Sequence, residues 1–214
     1  MGRSLTLIVL IVAMAAPTMA ADSPAVLMFV RDGARDLELM LDEETGVMKA
    51  MLEDAGIEVV VATTSGEPMK AGSLVLEANL KIADAKASDY DGFILPCMAP
   101  APGSPLPSEV ATLIEDAYAS GKPIAASRGS VAILGKAGVL EGKAYSYASE
   151  VDVNERPEFK GGTFMGVGVT QDGNVTTAGI CPLASRGLKL PDGTEDLTKK
   201  FIDSLKTTDR PGPR

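Results

Sequence analysis

The residues best suited to chemistry lie in the segment from Pro123 to Gly138. A short apolar strand there runs into a turn of small residues and then directly into a helix rich in alanine and leucine. This arrangement lifts one side chain, that of Ser127, above a parallel sheet. Ala125 and Gly129, two positions to either side, are small, as a sharp turn requires. The segment predicts a site in which Ser127 is a nucleophile, a ligand-binding hydroxyl or simply a residue that fits the turn.

The chemistry open to Ser127 is limited, because the 214-residue chain contains no histidine. Histidine most often supplies the general base near neutral pH, and it is a common zinc ligand. Ser–His and Cys–His catalysis within one chain is therefore excluded, and we predict neither a metal site nor a cofactor. A serine hydroxyl needs a base beside it, so at most weak hydrolysis is expected at Ser127.

Cys97 and Cys181 are the two cysteines of the chain, and they offer a different chemistry. They could form a disulfide, which an exported protein permits, or remain as two reduced thiols. A bond between them requires Cα atoms no more than about 7 Å apart. The sequence leaves both states open.

Short apolar runs predict the strands that position these side chains. Ala25 to Val30 is continuously apolar, so both of its faces are expected to be buried, as in a parallel sheet. Further strands are predicted over 57–62, 91–96, 123–126, 143–147, 163–170 and 175–178, with one or two short strands within 74–82. Helices are predicted over 37–55, 108–120 and 127–137, and from 194 to the end of the domain.

Strands alternating with helices at this spacing predict an α/β fold of the flavodoxin-like, doubly wound type. In this three-layer sandwich a mostly parallel sheet has helices on both faces, and ligands bind at the carboxyl ends of the strands. The loops after residues 30, 96, 126 and 178 then share one edge, which we call the carboxyl rim. The rim is predicted to collect Glu38, Cys97, Ser127 and Cys181.

The first twenty residues have the features of a secretory signal peptide. Arg3 precedes an almost unbroken apolar run from Leu5 to Ala16, and Ala20 follows as a small residue of the kind signal peptidase reads. The run is shorter than the roughly 20 apolar residues that a membrane helix needs. We expect cleavage after Ala20 and export to the periplasm or the extracellular space, with an uncleaved membrane anchor as the alternative.

The remaining chain is predicted to form a single domain over 21–209, followed by a disordered tail over 210–214. Acidic residues outnumber basic ones by 29 to 20 in the whole chain. An acidic chain repels nucleic acid and anionic membranes. We therefore predict no nucleic-acid partner and, once the signal peptide is removed, no membrane partner, while a small-molecule ligand stays open.

Several segments resemble motifs of the ThiJ/PfpI superfamily, and they follow one another in the order that the superfamily has. They are 36–39, 89–96 and 125–129, with 136–140 downstream. The superfamily includes the Parkinsonism-associated deglycase and the intracellular protease I proteins, and it is related to class I glutamine amidotransferases. The resemblance covers essentially the whole mature chain. It implies the flavodoxin-like fold and a homodimer.

The resemblance also implies which residues form the site. Members carry an acidic residue after the first strand and a glycine pair after the strand that ends in Leu-Pro. They also carry a nucleophilic cysteine, often followed by histidine, at the sharp strand-to-helix turn. We call this turn, which contains Ser127 in the present chain, the elbow. By position the acid is Glu38, and Ser127 replaces the cysteine. The implied catalytic residues are thus Ser127 and Glu38, and the implied oxyanion- or ligand-binding residues are Cys97, Met98, Arg128 and Gly129.

Three functions follow from these observations. The first is an exported ThiJ/PfpI-like protein that has lost the cysteine-dependent chemistry and is non-catalytic or only weakly active. The second is a hydrolase or amidase that uses Ser127, oriented by Glu38, on a small acyl or carbonyl substrate. The third is a redox protein that uses Cys97 and Cys181. A separate hypothesis is that a disulfide between these two cysteines lies over the Ser127 pocket and closes it.

Overall fold

The computed structural model describes residues 23–99 and 108–208, so the predicted signal peptide and the predicted tail lie outside the described residues. The strands are β1 (Ala25–Val30), β2 (Glu58–Thr63), β3 (Met69–Ala71), β4 (Leu74–Leu76), β5 (Leu80–Lys81), β6 (Gly92–Leu95), β7 (Ile124–Ser127), β8 (Ala144–Tyr145), β9 (Thr163–Phe164), β10 (Val169–Asp172) and β11 (Val175–Ala178).

The helices are α1 (Leu37–Met40), α2 (Val47–Asp54), α3 (Ser108–Ala119), α4 (Val131–Lys136), α5 (Glu150–Glu155), α6 (Pro182–Leu188) and α7 (Thr194–Thr208), with a π-helical segment (Leu41–Gly46) between α1 and α2. Within the described residues, none of these helices is both long and apolar enough to cross a membrane.

The central sheet has the order β10-β11-β7-β6-β1-β2-β5. Every neighbouring pair is parallel except β10 and β11, which run antiparallel. Two further pairs of short strands, β3 with β4 and β8 with β9, lie outside this sheet. The mostly parallel sheet confirms the predicted fold class.

The hydrophobic core is divided between the two faces of the sheet. Side chains of β1 alternate between the faces, because successive residues of a strand point in opposite directions. Leu27 and Phe29 pack with residues of α3 and α4, whereas Val26, Met28 and Val30 pack with residues of α2 and α7. Helices on both faces therefore sandwich the sheet, as predicted.

Strand register brings three chain segments to the same level of the carboxyl rim. β7 lies between β6 and β11, with Leu95 opposite Ala126 and Ala178 opposite Ser127. The chain reaches Cys97 two residues after β6 and Cys181 three residues after β11. The structure therefore places Ser127 between two cysteine-bearing loops, as the sequence predicts.

The helix predicted over 37–55 is interrupted by the π-helical segment. This wider turn faces Glu44 and Thr45 into the protein, where both are fully buried, whereas Asp42 is exposed. Gly46 is required at its end, since a Cβ atom there would lie 2.7 Å from the Leu41 carbonyl oxygen. Single π-helical turns of this kind occur often at functional sites.

We predict that Gly46→Ala destabilises the protein by about 1–3 kcal/mol, because the added methyl group meets backbone rather than a flexible side chain. Gly187→Ala in α6 is the matched control, since its Cβ would meet no atom within 4 Å. The control should be neutral or stabilising by up to about 1 kcal/mol. Urea unfolding of both variants checks this, and equal stabilities would contradict it.

Candidate functional site

The backbone of the elbow differs from that expected around a lifted nucleophile. Ser127 ends β7 in ordinary extended geometry, with φ −99° and ψ 130°. The next residue, Arg128, has φ 33°, in the left-handed region that non-glycine residues rarely adopt. Ser130 then donates a hydrogen bond of 2.6 Å to the Pro96 carbonyl, which joins the elbow to the loop after β6. The unusual backbone at this turn therefore belongs to Arg128, and Ser127 is fully buried.

A single carboxyl group fills the space beside Ser127. The Ser127 hydroxyl donates to Glu44 Oε1 over 2.7 Å, and the Met98 N–H donates to Oε2 over 3.2 Å. The Cys97 N–H is a further donor to this carboxyl. The backbone N–H groups predicted to serve as oxyanion donors, those of Cys97 and Met98, are thus already bonded to the protein's own carboxyl group.

The expected position of the acid is corrected from Glu38 to Glu44. Glu38 lies in the first turn of α1, is exposed, and has its carboxylate near Gly72 in the turn between β3 and β4. The π-helical segment carries the chain inward and delivers Glu44 to Ser127. A sequence signal for this was present, because Leu41, Glu44 and Met48 are spaced three and four residues apart along one apolar helix face.

The surroundings of Glu44 keep its carboxyl group protonated at neutral pH. Burial, followed by the negative charge of Cys181, raises its pKa to about 8, and the hydrogen bonds from Ser127 and the backbone lower it only in part. A protonated carboxyl group cannot accept the proton of the Ser127 hydroxyl. Below about pH 8, Glu44 is therefore not in the deprotonated form that a general base for Ser127 must have.

The cysteines lie side by side on the carboxyl rim as two free, buried thiols. Their side chains interact directly, and Cys97 Sγ accepts the Gly129 N–H over 3.3 Å. Gly129 therefore connects the elbow to the sulfur of Cys97. The structure brings together all the predicted site residues except Glu38.

The two thiols are chemically unequal. The hydrogen bond from Cys97, the Ala184 N–H and the Arg128 guanidinium together lower the pKa of Cys181 to about 6, although burial opposes them. The pKa of Cys97 is raised well above its ordinary value, because its thiol donates to Cys181 and is buried. The surroundings of the pair therefore favour the thiolate on Cys181 rather than on Cys97.

The backbone after β6 keeps a shape that normally favours glycine. Met98 has φ 50° and Ala99 has φ 37°, both left-handed. Thr45 donates to Met98 Sδ over 3.1 Å, so the π-helical segment holds the side chain as well as the backbone of Met98. The loop thus turns as sharply as the glycine pair implied by the resemblance would allow, although neither residue is glycine.

Residues 24–183 match the model of the DJ-1/PfpI family. The chain belongs to this family. The match spans the sheet from β1 to the start of α6 and confirms the resemblance found in the sequence. No curated protein sequence matches the chain significantly.

Solved structures of DJ-1/PfpI proteins have the same fold. DJ-1beta of Drosophila melanogaster is 25% identical, with coverage of 87% of this chain and 97% of that one and a TM-score of 0.57. A ThiJ/PfpI domain protein from Brachyspira murdochii is 17% identical, with coverage of 87% and 99% and a TM-score of 0.66. Toxoplasma gondii DJ-1, in an oxidized form, is 21% identical, with coverage of 87% and 97% and a TM-score of 0.56.

Metal binding finds no support in the part of the chain that the structure describes. No group of three or more histidine, cysteine, aspartate or glutamate side chains is placed there to hold an ion.

We predict that Glu44→Gln keeps the folded state stable at neutral pH, whereas Glu44→Leu does not. Glutamine has the shape of a protonated carboxyl group and still accepts the backbone N–H groups. Leucine leaves those donors and the Ser127 hydroxyl buried without an acceptor, at a cost of about 1–3 kcal/mol for each group. Urea unfolding of both variants measures the difference, and similar losses in both would contradict the assignment.

The pH dependence of stability provides a separate prediction for Glu44. Its folded-state pKa of about 8 lies above the ordinary value of 4.5, so the folded protein holds the proton more tightly and loses this stability as pH rises through that window. The lowered pKa of Cys181 acts in the opposite direction above about pH 6. As pH rises from 4.5 to 6, the free energy of unfolding of the wild type should therefore fall relative to that of Glu44→Gln. Urea unfolding at several pH values measures both proteins, and an equal pH dependence in the two would contradict this prediction.

Proposed function

We propose that this DJ-1/PfpI domain is an exported thiol redox protein whose reactive group is the Cys97–Cys181 pair. The observation that carries the proposal is that the two free, buried cysteine side chains lie against each other on the carboxyl rim. A thiolate beside a second thiol is the arrangement that dithiol chemistry requires, because the thiolate attacks and the neighbouring thiol completes the disulfide.

The proposed reaction transfers two electrons to a low-molecular-weight disulfide. The Cys181 thiolate attacks one sulfur of that disulfide, breaks its S–S bond and releases a thiolate. Cys97 then attacks the Cys181 sulfur in the mixed disulfide, and its proton goes to the second departing thiolate. The pair ends as a disulfide, and the acceptor is reduced to two thiol-containing molecules. The acceptor must be small, because both sulfurs are buried.

The geometry around Ser127 supports an architectural role for this residue. Its hydroxyl is fully buried and bonded to Glu44, and the neighbouring N–H groups are bonded to the same carboxyl. A carbonyl substrate would have to displace all of these bonds. Ser127 and Glu44 therefore fix the elbow against the loop after β6, and so they hold Cys97 in place.

A hydrolase remains the second candidate because of one observation, the 2.7 Å bond between Ser127 and Glu44. A deprotonated Glu44 could accept the hydroxyl proton, which requires a pH above the carboxyl pKa of about 8. Any Ser127-dependent hydrolysis should therefore rise as pH passes through 8, whereas Cys181 becomes a thiolate near pH 6.

Export is part of the proposal and is supported by the basic start, the apolar run and the small residue at Ala20. In an oxidising compartment the resting form of the pair would be the disulfide, which is the product of the reaction proposed above. Homodimerisation is proposed from family membership alone, and a small-molecule ligand from the reaction itself.

We predict that excess 2-hydroxyethyl disulfide removes both titratable thiols of the reduced protein and lowers its mass by two hydrogen atoms. Cys97→Ser should stop at a mixed disulfide, because no second thiol is present to release it. Ser127→Ala should form the internal bond to the same extent as the wild type. Two thiols still titratable after treatment and denaturation of the wild type would refute the redox proposal.

We predict that wild type and Ser127→Ala show equal rates on small esters, amides and α-oxoaldehydes at neutral pH. The reason is that Glu44 is protonated there and the serine hydroxyl has no base. Initial rates under matched reducing conditions provide the measurement. A loss of tenfold or more in Ser127→Ala would favour the hydrolase instead.

A further inference from the structure

A separate cavity lies beside the small sheet that β8 and β9 form. Its volume is about 570 Å³, which is within the range of small-molecule binding sites. The cavity is lined by aromatic rings and by charged side chains, among them Tyr145, Phe159, Phe164, Arg156, Lys160 and Glu155. The site residues of the carboxyl rim do not line it, so any ligand bound here is separate from the thiol pair.

The wall formed by Arg156 and Phe159 is held in place by contacts within the protein. The Arg156 guanidinium donates from Nη1 to the Tyr147 hydroxyl over 2.6 Å and from Nε to the Glu158 carboxylate over 2.8 Å. It also lies 5.2 Å from the centroid of the Phe159 ring. Helix α4 packs closely on this segment, because a Cβ atom at Gly135 would collide with the Glu158 carbonyl oxygen. The cavity is therefore largely formed before a ligand binds.

The hydroxyl of Tyr145 is a polar group that the protein leaves without a partner. Tyr145 is only 1% exposed, and its ring stacks on that of Phe159 with 5.5 Å between centroids. Within residues 23–99 and 108–208, no group forms a hydrogen bond with this hydroxyl. Every fully enclosed side-chain oxygen in those ranges has a partner, so the hydroxyl must be the part of Tyr145 that reaches the cavity. Burial raises the pKa of Tyr145, so the hydroxyl keeps its proton and is able to donate.

The charges around the cavity favour an uncharged ligand. Arg156 is paired with Glu158, and the exposed side chains of Lys160 and Glu155 carry opposite charges. No excess of either sign is therefore present to stabilise a charged molecule. Phe164 is only partly buried, so its ring offers surface to a ligand. Aromatic rings pack well against one another, which favours a planar aromatic ligand.

We propose that this cavity binds a small, neutral aromatic molecule whose oxygen accepts a hydrogen bond from the Tyr145 hydroxyl. The ring of the ligand packs against Phe164. A buried hydroxyl without a partner is unfavourable, and this ligand supplies the missing acceptor. The binding site goes beyond the proposed dithiol function and does not depend on it.

NMR titration of the protein with acetophenone tests the proposal, because this probe is aromatic, uncharged and carries one carbonyl acceptor. Ethylbenzene has the same ring and carbon chain without the oxygen, and it should bind about fivefold more weakly or worse. Benzoate, the charged analogue, should also bind more weakly than acetophenone. An absence of acetophenone binding, or tighter binding of either other probe, would overturn the proposal.

The variant Tyr145→Phe removes only the hydroxyl. It should bind acetophenone about fivefold more weakly than the wild type and bind ethylbenzene equally well. Its melting temperature should be unchanged or higher, because the lost hydroxyl has no partner in the free protein. Tyr118→Phe in α3 is the matched control, since Tyr118 does not line the cavity, and both affinities should stay at the wild-type value.

The opposite outcomes are distinct. Equal acetophenone affinity in the wild type and Tyr145→Phe would overturn the proposal. A merely structural hydroxyl would instead lower the melting temperature of Tyr145→Phe and weaken both probes alike. Phe164→Ala should weaken both probes, and unchanged binding would remove the ligand from this cavity. Cys97→Ser should bind acetophenone as the wild type does, whereas a loss of binding would place the ligand at the carboxyl rim and overturn the assignment.

Discussion

The buried carboxyl group of Glu44 is the interaction on which the site depends. It accepts hydrogen bonds from the elbow through Ser127 and from the loop after β6 through Cys97 and Met98. Two segments that are distant in sequence are thereby held to one group of the π-helical segment. Because the group is buried and its neighbour Cys181 is negative, it remains neutral, and the protein avoids placing two adjacent negative charges in its interior.

The same arrangement explains why the two sulfurs differ although both are buried. Burial disfavours the charged form of either thiol, so the difference must come from the donors around each one. Cys181 receives bonds from a guanidinium, a helix N–H and a thiol, whereas Cys97 gives its proton toward Cys181. These donors favour the thiolate on Cys181, whereas Cys97 keeps its proton.

The sequence predicted the sheet well because parallel strands leave a strong signal. The continuous apolar run of β1 follows from burial on both faces, and this strand appears as predicted. The sequence predicted one helix over 37–55 and did not identify the π-helical segment, because a widened turn depends on tertiary contacts and leaves the apolar spacing almost unchanged. That omission led to Glu38 being chosen over Glu44. The short helices α5 and α6 were also missed, since so few residues carry little periodicity.

The sheet order has a consequence for how chemistry can change within this fold. Neighbouring parallel strands deliver their loops to one shared edge, so the groups after β6, β7 and β11 all reach the same small volume. A reactive residue can therefore lie in the loop after one strand or in the loop after its neighbour, while the sheet stays the same. In this chain the elbow carries a serine and the adjacent loops carry the thiols. The fold thus offers three neighbouring loop positions from which a reactive side chain can reach the same site.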